Sequence, residues 1–362
     1  MARPGSPMED IDTPALVIDL DLMEGNIARM AAFFADKDAF LRPHTKTHKT
    51  PVLAHRQIEA GARGVTCAKL GEAEVMAAAG IRDILVANQV VGRVKIDRLV
   101  ALARHSDVIV ASDHEENVRE ISDAALAAGT RVNMIIEVDV GMERCGVPPG
   151  EPAWRLAQAI DRHPGVVFRG VMGYEGHIIG NPNDEERYAG CRESMTMLTQ
   201  TADYIRERGL AVDLVSGGGT GTYKVTGTFP GVNEVQAGSY ILMDGTYQQR
   251  IPEFDCALTI YATIVSRPGD ELAVADAGLK TMTNDMGLQT VRGVEGASIL
   301  RQSEEHVKIE LPGASCTLRP GDKFHIVPSH CCTTINLHDR FYGVRDGTVE
   351  SVWDIAARGK LQ

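Results

Sequence analysis

The pattern of hydrophobic and polar positions changes near residue 244. Before this point, short apolar runs alternate with longer stretches of helical period. After it, short strand-like segments are separated by Gly, Pro and Asp. The first pattern is typical of parallel strands joined by crossover helices, and the second of an antiparallel sheet or small barrel. The sequence therefore predicts an α/β region followed by a β domain.

Eight apolar runs in the first region predict eight strands, at residues 41–43, 64–68, 83–87, 107–111, 132–139, 168–174, 214–216 and 234–240. Helical stretches between them include residues 71–79, 95–104, 114–128 and 185–208. Eight such units predict a (β/α)8 TIM-type barrel, although a doubly wound open sheet gives a similar pattern. An earlier strand at 15–20 and a helix near 23–34 are predicted to connect the two domains.

The β domain is predicted from strands at residues 257–266, 271–275, 306–310, 324–328, 339–344 and 348–353. The predicted domains are a barrel at 15–245 and a C-terminal, mainly antiparallel β domain at 246–362. Residues 1–14 are predicted to pack on the β domain.

The amino-acid composition disfavours some classes of binding partner. The 362 residues contain 37 Lys and Arg against 49 Asp and Glu, a net charge of −12, which disfavours nucleic acid and anionic membranes as partners. The sequence has neither a run of ~18 apolar residues nor a basic-then-apolar signal segment at its start. We expect a cytoplasmic protein whose seven scattered cysteines form no disulfide framework.

The first barrel strand ends in the sequence RPHTKTHK at residues 42–49. Catalytic groups of such barrels gather at the C-terminal strand ends. Lys46 has His44, His48 and Lys49 as neighbours that could lower its pKa, as Schiff-base chemistry requires. The alternative is a solvated basic loop.

Two turns rich in Gly, Ser and Thr follow the last two strands: SGGGTGT at 216–222 and QAGSY at 236–240. Consecutive glycines let backbone N–H groups approach an anion, and barrels often bind phosphate at this position. The sequence therefore predicts a phosphate site, with a flexible loop as the alternative. The GxxxxGK[ST] motif of a nucleotide-binding P-loop is not found in the sequence.

Two further strand ends carry candidate groups. Arg144, in EVDVGMERCG, could face a ring nitrogen or a substrate carboxylate, or form an ion pair with Glu143 or Asp139. Tyr174, Glu175 and His177, in MGYEGHIIG, could supply a general acid or base, although one of them could simply be packed.

The segment PSHCCT at 328–333 follows a predicted strand. If the segment is extended, His330 and Cys332 project to one side and Cys331 to the other. Imidazole and thiolate together suit Zn²⁺ above all, although two ligands do not complete a site. The alternative is a buried His/Cys pair.

Together, RPHTKTHK, GGGTGT, QAGSY and the PSHCCTTINLHD segment resemble the D-threonine aldolase and D-serine dehydratase family over nearly the whole chain. The resemblance implies a pyridoxal-phosphate enzyme with an alanine-racemase-type barrel, a C-terminal β domain and a homodimer with shared active sites. It implies that Lys46 forms the Schiff base and that His330 and Cys332 bind a divalent metal, Zn²⁺ or alternatively Mn²⁺ or Mg²⁺, at the substrate's β-hydroxyl. The other cofactor-binding residues would be His44, Arg144, Tyr174, Gly218, Gly219, Thr220, Gly238, Ser239 and Tyr240.

The resemblance implies a small-molecule β-hydroxy-D-amino acid as substrate, but two outcomes stay open. The His-x-Cys pair is similar to the dehydratase branch, and Glu175 stands where the aldolases have His. The tail from Asn336 to Gly359 is similar to the aldolase branch. We expect retro-aldol cleavage to glycine and an aldehyde, with dehydration of D-serine or 3-hydroxy-D-aspartate as the alternative. A metal-independent racemase, a non-catalytic cofactor carrier and a metal-dependent hydrolase without the cofactor are further alternatives.

Overall fold

The computed structural model describes residues 2–313 and 316–362, which form two compact units. The barrel unit contains residues 30–46, 51–238 and 360–362. The sheet unit contains residues 2–29, 47–50 and the described part of 239–359.

Strands of the described chain are β1 (Ala15–Asp19), β2 (Phe40–Leu41), β3 (Val65–Cys67), β4 (Asp83–Gln89), β5 (Asp107–Ser112), β6 (Val132–Glu137), β7 (Val166–Gly173), β8 (Leu214–Gly217), β9 (Glu234–Val235), β10 (Leu258–Gly269), β11 (Leu272–Ala275), β12 (Thr290–Arg292), β13 (Ser298–Gln302), β14 (Val307–Glu310), β15 (Lys323–Val327), β16 (Arg340–Arg345) and β17 (Thr348–Asp354). The α-helices are α1 (Leu20–Phe34), α2 (Pro51–Glu59), α3 (Leu70–Ala78), α4 (Arg93–Ala103), α5 (Glu115–Ala127), α6 (Glu151–Arg162), α7 (Asp184–Arg206), α8 (Tyr223–Thr226), α9 (Gly245–Gln248) and α10 (Cys331–Ile335).

The barrel unit is built on eight parallel strands in the order β2-β9-β8-β7-β6-β5-β4-β3. A parallel bridge between His44 and Thr66 joins the two ends of this order, so the sheet closes on itself. The predicted barrel is therefore confirmed and the open doubly wound sheet is excluded. The predicted strand at 234–240 is too long, because β9 ends at Val235 and Ser239–Ile241 form a 3-10 helix.

Both faces of the barrel strands are buried, which explains why the sequence shows apolar runs rather than a strict alternation. In β4, Ile84 and Val86 pack in the large core that includes residues of the surrounding helices. Leu85, between them, packs in a separate cluster with residues of neighbouring strands such as Ile109 and Ile135. Successive side chains of a strand therefore serve two different cores.

The sheet unit contains a mainly antiparallel sheet in the order β13-β14-β11-β10-β1-β16-β17, with β15 pairing with β10 and β12. This confirms the predicted fold class of the C-terminal region. β12 and β13 were not predicted from the sequence. β1, inside the predicted barrel range of 15–245, pairs antiparallel with β10 and parallel with β16.

The N-terminal segment lies on this sheet. Pro7 bridges to Thr348, and Ile11 is buried in a cluster with Tyr342 and Val349. Met1, part of the predicted packing segment 1–14, lies outside the described residues. Within residues 2–313 and 316–362, no helix has the length and hydropathy needed to cross a membrane.

Candidate active site

Three of the predicted residues meet at the C-terminal strand ends of the barrel unit. Lys46 follows β2, Arg144 follows β6 and Tyr174 follows β7 directly. Lys46 Nζ lies 5.5 Å from the centroid of the Tyr174 ring, and Arg144 Cζ lies 5.7 Å from the same centroid. The half-buried Lys46 also donates its backbone N–H to His44 Nδ1, at 3.4 Å. The closed barrel thus brings an amine, a guanidinium and an aromatic ring together from distant sequence positions.

Arg144 has a different carboxylate partner from the two considered in the sequence. Its NH2 atom lies 3.7 Å from Glu137 Oε1, whereas Asp139 accepts the N–H groups of Gly141 and Glu143. Burial raises the pKa of Glu137, and a 2.6 Å bond from Gln89 Nε2 together with the Arg144 charge offsets part of this rise. Glu137 therefore anchors a guanidinium that remains about half exposed.

Glu175 and His177, the predicted acid–base residues, lie in very different surroundings. The Glu175 side chain is fully buried, with 0% exposure, and burial raises its pKa. His177 is exposed, within the 3-10 helix Gly176–Ile178. A Cβ atom on Gly141 would lie 2.9 Å from His177 Cε1, so the imidazole covers that glycine.

The glycine loop, residues 217–222, is held by hydrogen bonds from within the barrel unit. Gly218 donates its N–H to Glu175 Oε2 at 3.3 Å, and Gly219 donates its N–H to Thr222 Oγ1 at 3.2 Å. Gly218 has a φ of +73°, and a Cβ there would lie 2.8 Å from the Thr226 side chain, so glycine is required. Two of the amides expected at a phosphate are thus engaged by the protein itself.

The second predicted turn, residues 236–240, contains residues of both units. Gly238 lies in the barrel unit, while Ser239 and Tyr240 lie in the sheet unit. Tyr240 is buried, with its ring centroid 5.8 Å from that of Phe254.

The segment at 328–333 is not extended throughout, so the strand-based argument for His330 and Cys332 was wrong. α10 begins at Cys331, with His330 as its N-cap residue. The two side chains nevertheless interact. Burial lowers the pKa of His330, but the bond with Cys332 and the Asp285 carboxylate outweigh this and raise it to about 9. Cys331 is fully buried, and its N–H donates to Asp244 Oδ2 at 2.9 Å.

Groups around this pair orient both side chains. His330 Nδ1 lies 2.6 Å from Asp285 Oδ2. Nε2 is therefore the ring nitrogen that would bind a metal. Cys332 Sγ lies 3.3 Å from Thr47 Oγ1 and 3.9 Å from Ser239 Oγ. Asp285 was missed in the sequence because it lies on a loop between β11 and β12, with no motif that links it to His330.

The donor chemistry fits a divalent metal with open positions. A ligand histidine commonly gives its other ring nitrogen to a carboxylate, as His330 does to Asp285. No group of three or more His, Cys, Asp or Glu able to hold a metal occurs among residues 2–313 and 316–362. Water or substrate would therefore supply the remaining ligands.

The barrel residues fit pyridoxal phosphate. They provide an amine, an aromatic ring beside it, a guanidinium and a loop in which Gly219 faces the ring: a Cβ on Gly219 would lie 3.5 Å from Tyr174 Cε2.

Comparison with known proteins identifies both parts of the chain. Residues 18–245 match the family "Alanine racemase, N-terminal domain", and residues 257–344 match the "Putative serine dehydratase domain" family. D-threonine aldolase from an Arthrobacter species is 40% identical, covering 99% of this chain and 96% of the relative. 3-Hydroxy-D-aspartate aldolase from Paracoccus denitrificans (strain Pd 1222) is 37% identical, covering 99% of this chain and 95% of the relative.

Solved structures extend the similarity. D-threonine aldolase from Filomicrobium marinum superposes with a TM-score of 0.97 at 39% identity, covering 100% of both chains. D-threo-3-hydroxyaspartate dehydratase from Delftia sp. HT23 gives a TM-score of 0.87 at 29% identity, covering 96% of this chain and 98% of that one. A cysteine-to-alanine mutant of this dehydratase was solved in a metal-free form. The chain therefore belongs to the family of pyridoxal-phosphate-dependent D-amino acid aldolases and dehydratases, which combine an alanine-racemase-type barrel with a serine-dehydratase-type C-terminal domain.

Proposed function

We propose that this enzyme cleaves β-hydroxy-D-amino acids such as D-threonine into glycine and an aldehyde, using pyridoxal phosphate and a divalent metal. The observation that carries the proposal is Lys46 Nζ at 5.5 Å from the Tyr174 ring centroid, at the strand ends of a chain similar to aldolases over its full length. A strand-end amine beside an aromatic ring suits a covalently held, planar cofactor.

The proposed roles in the barrel follow from these positions. Lys46 binds the cofactor covalently, His44 holds the Lys46 backbone, and Tyr174 and Arg144 contact the cofactor ring. The proposed phosphate site is the loop of Gly218, Gly219 and Thr220 and the turn of Gly238, Ser239 and Tyr240. The N–H groups of Gly218 and Gly219 shape the loop through bonds within the protein and are not the phosphate donors. The cofactor supplies the electron sink for bond cleavage at Cα, and the protein orients the substrate on it.

The metal is proposed at His330 and Cys332. A thiol ligand favours Zn²⁺, with Mn²⁺ or Mg²⁺ as alternatives. When bound, such an ion polarises the substrate's β-hydroxyl oxygen. Two observations support the proposal: the Asp285 carboxylate on His330 Nδ1, and the metal-free form of a dehydratase with a cysteine replaced.

Of the two predicted acid–base residues, we propose His177 for proton transfer. Its imidazole is exposed to solvent, whereas both oxygens of the Glu175 carboxyl accept hydrogen bonds inside the protein. A group that exchanges protons with substrate must be able to reach it.

Dehydration of D-serine or 3-hydroxy-D-aspartate to a keto acid and ammonia is the second candidate. The His-x-Cys pair favours it, because this pair is similar to the dehydratase branch of the family. The greater identity to two aldolases favours cleavage.

Product analysis separates the two candidates. The purified protein, supplied with pyridoxal phosphate and Zn²⁺ or Mn²⁺, is incubated with D-threonine, D-serine and 3-hydroxy-D-aspartate, and aldehyde, keto acid and glycine are measured. We expect aldehyde and glycine in equal amounts, loss of activity with a chelator, and no turnover of L-isomers or D-alanine. Keto acid with ammonia would establish dehydration. Metal-independent racemisation of D-alanine would contradict both.

The compartment, the oligomeric state and the roles of the two domains are also proposals. We propose a cytoplasmic homodimer with shared active sites, in which residues 15–245 bind the cofactor and residues 246–362 carry the metal ligands. Sedimentation of the cofactor-loaded protein tests the dimer, since a monomer that is fully active would contradict shared sites.

A further inference from the structure

We infer that Glu175 is a positioning residue that holds the glycine loop in shape for the cofactor phosphate, acting through the Thr222 hydroxyl. The inference rests on the proposed function, in which the phosphate binds at this loop. It gives Glu175 a role other than the general acid or base expected from the sequence.

The geometry places the carboxyl group beneath the loop and ties it to both ends. Glu175 follows Tyr174 at the end of β7, and its side chain has 0% exposure. Its Oε2 accepts the N–H of Gly218 at 3.3 Å, where the loop leaves β8. Its Oε1 accepts the Thr222 hydroxyl at 2.6 Å, where the loop enters α8. One buried group therefore fixes the distance between the two ends of the turn.

Thr222 connects Glu175 to the centre of the loop by a second hydrogen bond. While its hydroxyl donates to Glu175, its oxygen accepts the N–H of Gly219 at 3.2 Å. Gly219 is the residue that faces the Tyr174 ring. The chain of bonds from Glu175 through Thr222 to Gly219 thus sets the backbone of the loop beside the Tyr174 ring.

Thr226 offers a natural comparison. Its hydroxyl also points to Glu175 Oε1, but at 3.4 Å, and it lies 3.3 Å from Cys191 Sγ. Thr226 is as deeply buried as Thr222, with exposures of 0% and 1%. The N–H groups of the loop are bonded to Thr222 and Glu175. Replacing Thr222 therefore tests the positioning of the loop, and replacing Thr226 tests the effect of packing alone.

Several neighbours donate hydrogen bonds to the Glu175 carboxyl. The groups that bond to the carboxyl are uncharged: two threonine hydroxyls, a cysteine thiol and a backbone N–H. Burial raises the pKa of Glu175, and the hydrogen bonds from Thr222, Gly218 and Cys191 offset part of this rise.

The test compares Thr222→Val with Thr226→Val, two replacements of nearly equal volume. Dissociation constants of the full chain for pyridoxal phosphate and for inorganic phosphate are measured alongside melting temperature. Loss of the two hydrogen bonds of the Thr222 hydroxyl, to Glu175 and to the Gly219 N–H, predicts at least about 10-fold weaker binding of both ligands by Thr222→Val. Thr226→Val should remain within about 2-fold of the wild type. With substrate saturating and cofactor added in excess, kcat should be largely restored in Thr222→Val.

Glu175 itself gives the second comparison. Glu175→Gln keeps one acceptor oxygen and replaces the other with an NH2 donor, so its cofactor affinity should fall by about 3-fold, less than that of Glu175→Ala. Glu175→Ala should weaken cofactor binding at least as much as Thr222→Val. If Glu175→Ala does not fold, the threonine pair carries the test.

Equal affinities of Thr222→Val and Thr226→Val for cofactor and phosphate would overturn the positioning role. Loss of kcat in Glu175→Gln with unchanged cofactor affinity would also overturn it, because that result is typical of an acid or base. A wild-type protein that binds no pyridoxal phosphate would overturn the proposed function and this role together.

Discussion

The two regions proposed for chemistry are built in opposite ways. In the barrel unit, Lys46, Arg144 and Tyr174 come from three strand ends, and barrel closure brings them together. In the sheet unit, His330 and Cys332 come from one short segment at the start of α10. The first arrangement depends on the topology of the whole unit, and the second on local backbone conformation and on the contact with Asp285. We therefore expect a single substitution to act differently in the two regions.

The largest effect is expected in the barrel unit. Lys46→Ala should remove the visible cofactor band and lower kcat/KM at least about 1000-fold, because no other group can replace a covalent link. The proposed linkage is checked by borohydride reduction of the wild type and peptide mapping. A reduced pyridoxyl group found on Lys49 or Lys69 would contradict the assignment.

The next effect tests the sheet unit. Cys332→Ser should lower metal content and activity by about 100-fold, since it replaces a soft ligand with a weak one. Cys331→Ser is the matched control, because Cys331 is fully buried and bonds through its backbone to Asp244. It should cost some stability and leave metal content unchanged. Cys332→Asp should shift metal preference toward Mn²⁺. If Cys331→Ser loses the metal and Cys332→Ser keeps it, the ligand assignment is wrong.

A smaller effect is expected at Asp285, which touches His330 Nδ1 at 2.6 Å. Asp285→Asn should weaken metal binding by about 10-fold, because carboxylates that orient ligand histidines typically contribute this much. Titration with Zn²⁺ measures the affinity. Asp354→Asn, an exposed acid of the same unit, serves as control and should bind metal as the wild type does. An unchanged affinity in Asp285→Asn would show that His330 is oriented without it.

The last effect concerns the stability of the sheet unit in acid, with no change expected in its chemistry. Burial, reinforced by the charge of Arg292, lowers the pKa of His325 to about 4. The unfolded chain takes up a proton below pH 6.5 while folded His325 stays neutral, so stability falls from pH 6.5 down to about pH 4. The loss reaches roughly 3 kcal/mol. His325→Asn, which can keep the bond to Thr259 Oγ1, should show a weaker pH dependence in denaturant unfolding. Equal pH dependence of the two proteins would contradict a neutral buried His325.

The barrel region was predicted well from the sequence, because the alternation of apolar runs and helical stretches shows where each strand ends. Once eight parallel strands are inferred, Lys46, Arg144 and Tyr174 must face the same end. The partners of these residues were not predictable in this way. Glu137 was passed over for the nearer Glu143 and Asp139, since sequence distance is a poor guide where a turn folds back.

In the proposed metal-binding region, the sequence suggested which side chains interact but not the backbone conformation that brings them together. The pair His330 and Cys332 was chosen by strand alternation, yet α10 begins between them. The two side chains interact although the geometric reason was wrong, because neighbouring side chains can meet at a helix N-terminus as well as on a strand. Their role as metal ligands stays a prediction. Strands β12 and β13 were not predicted because they are short and each has a single buried residue, Val291 and Ile299.

Closure of the barrel has a consequence for the order in which the nascent chain can fold. Strands β3 to β8 each pair with the strand that follows or precedes them in the chain, so this ladder can grow as residues leave the ribosome. β2, next to Lys46, pairs instead with β9, and Leu41 meets Val235. The ends of β2 and β9 must find each other across most of the unit, at a cost in loop entropy. A chain interrupted before residue 234 therefore contains Lys46 without β9, one of the two strands beside β2. The barrel therefore closes around Lys46 only after Val235 has been synthesised.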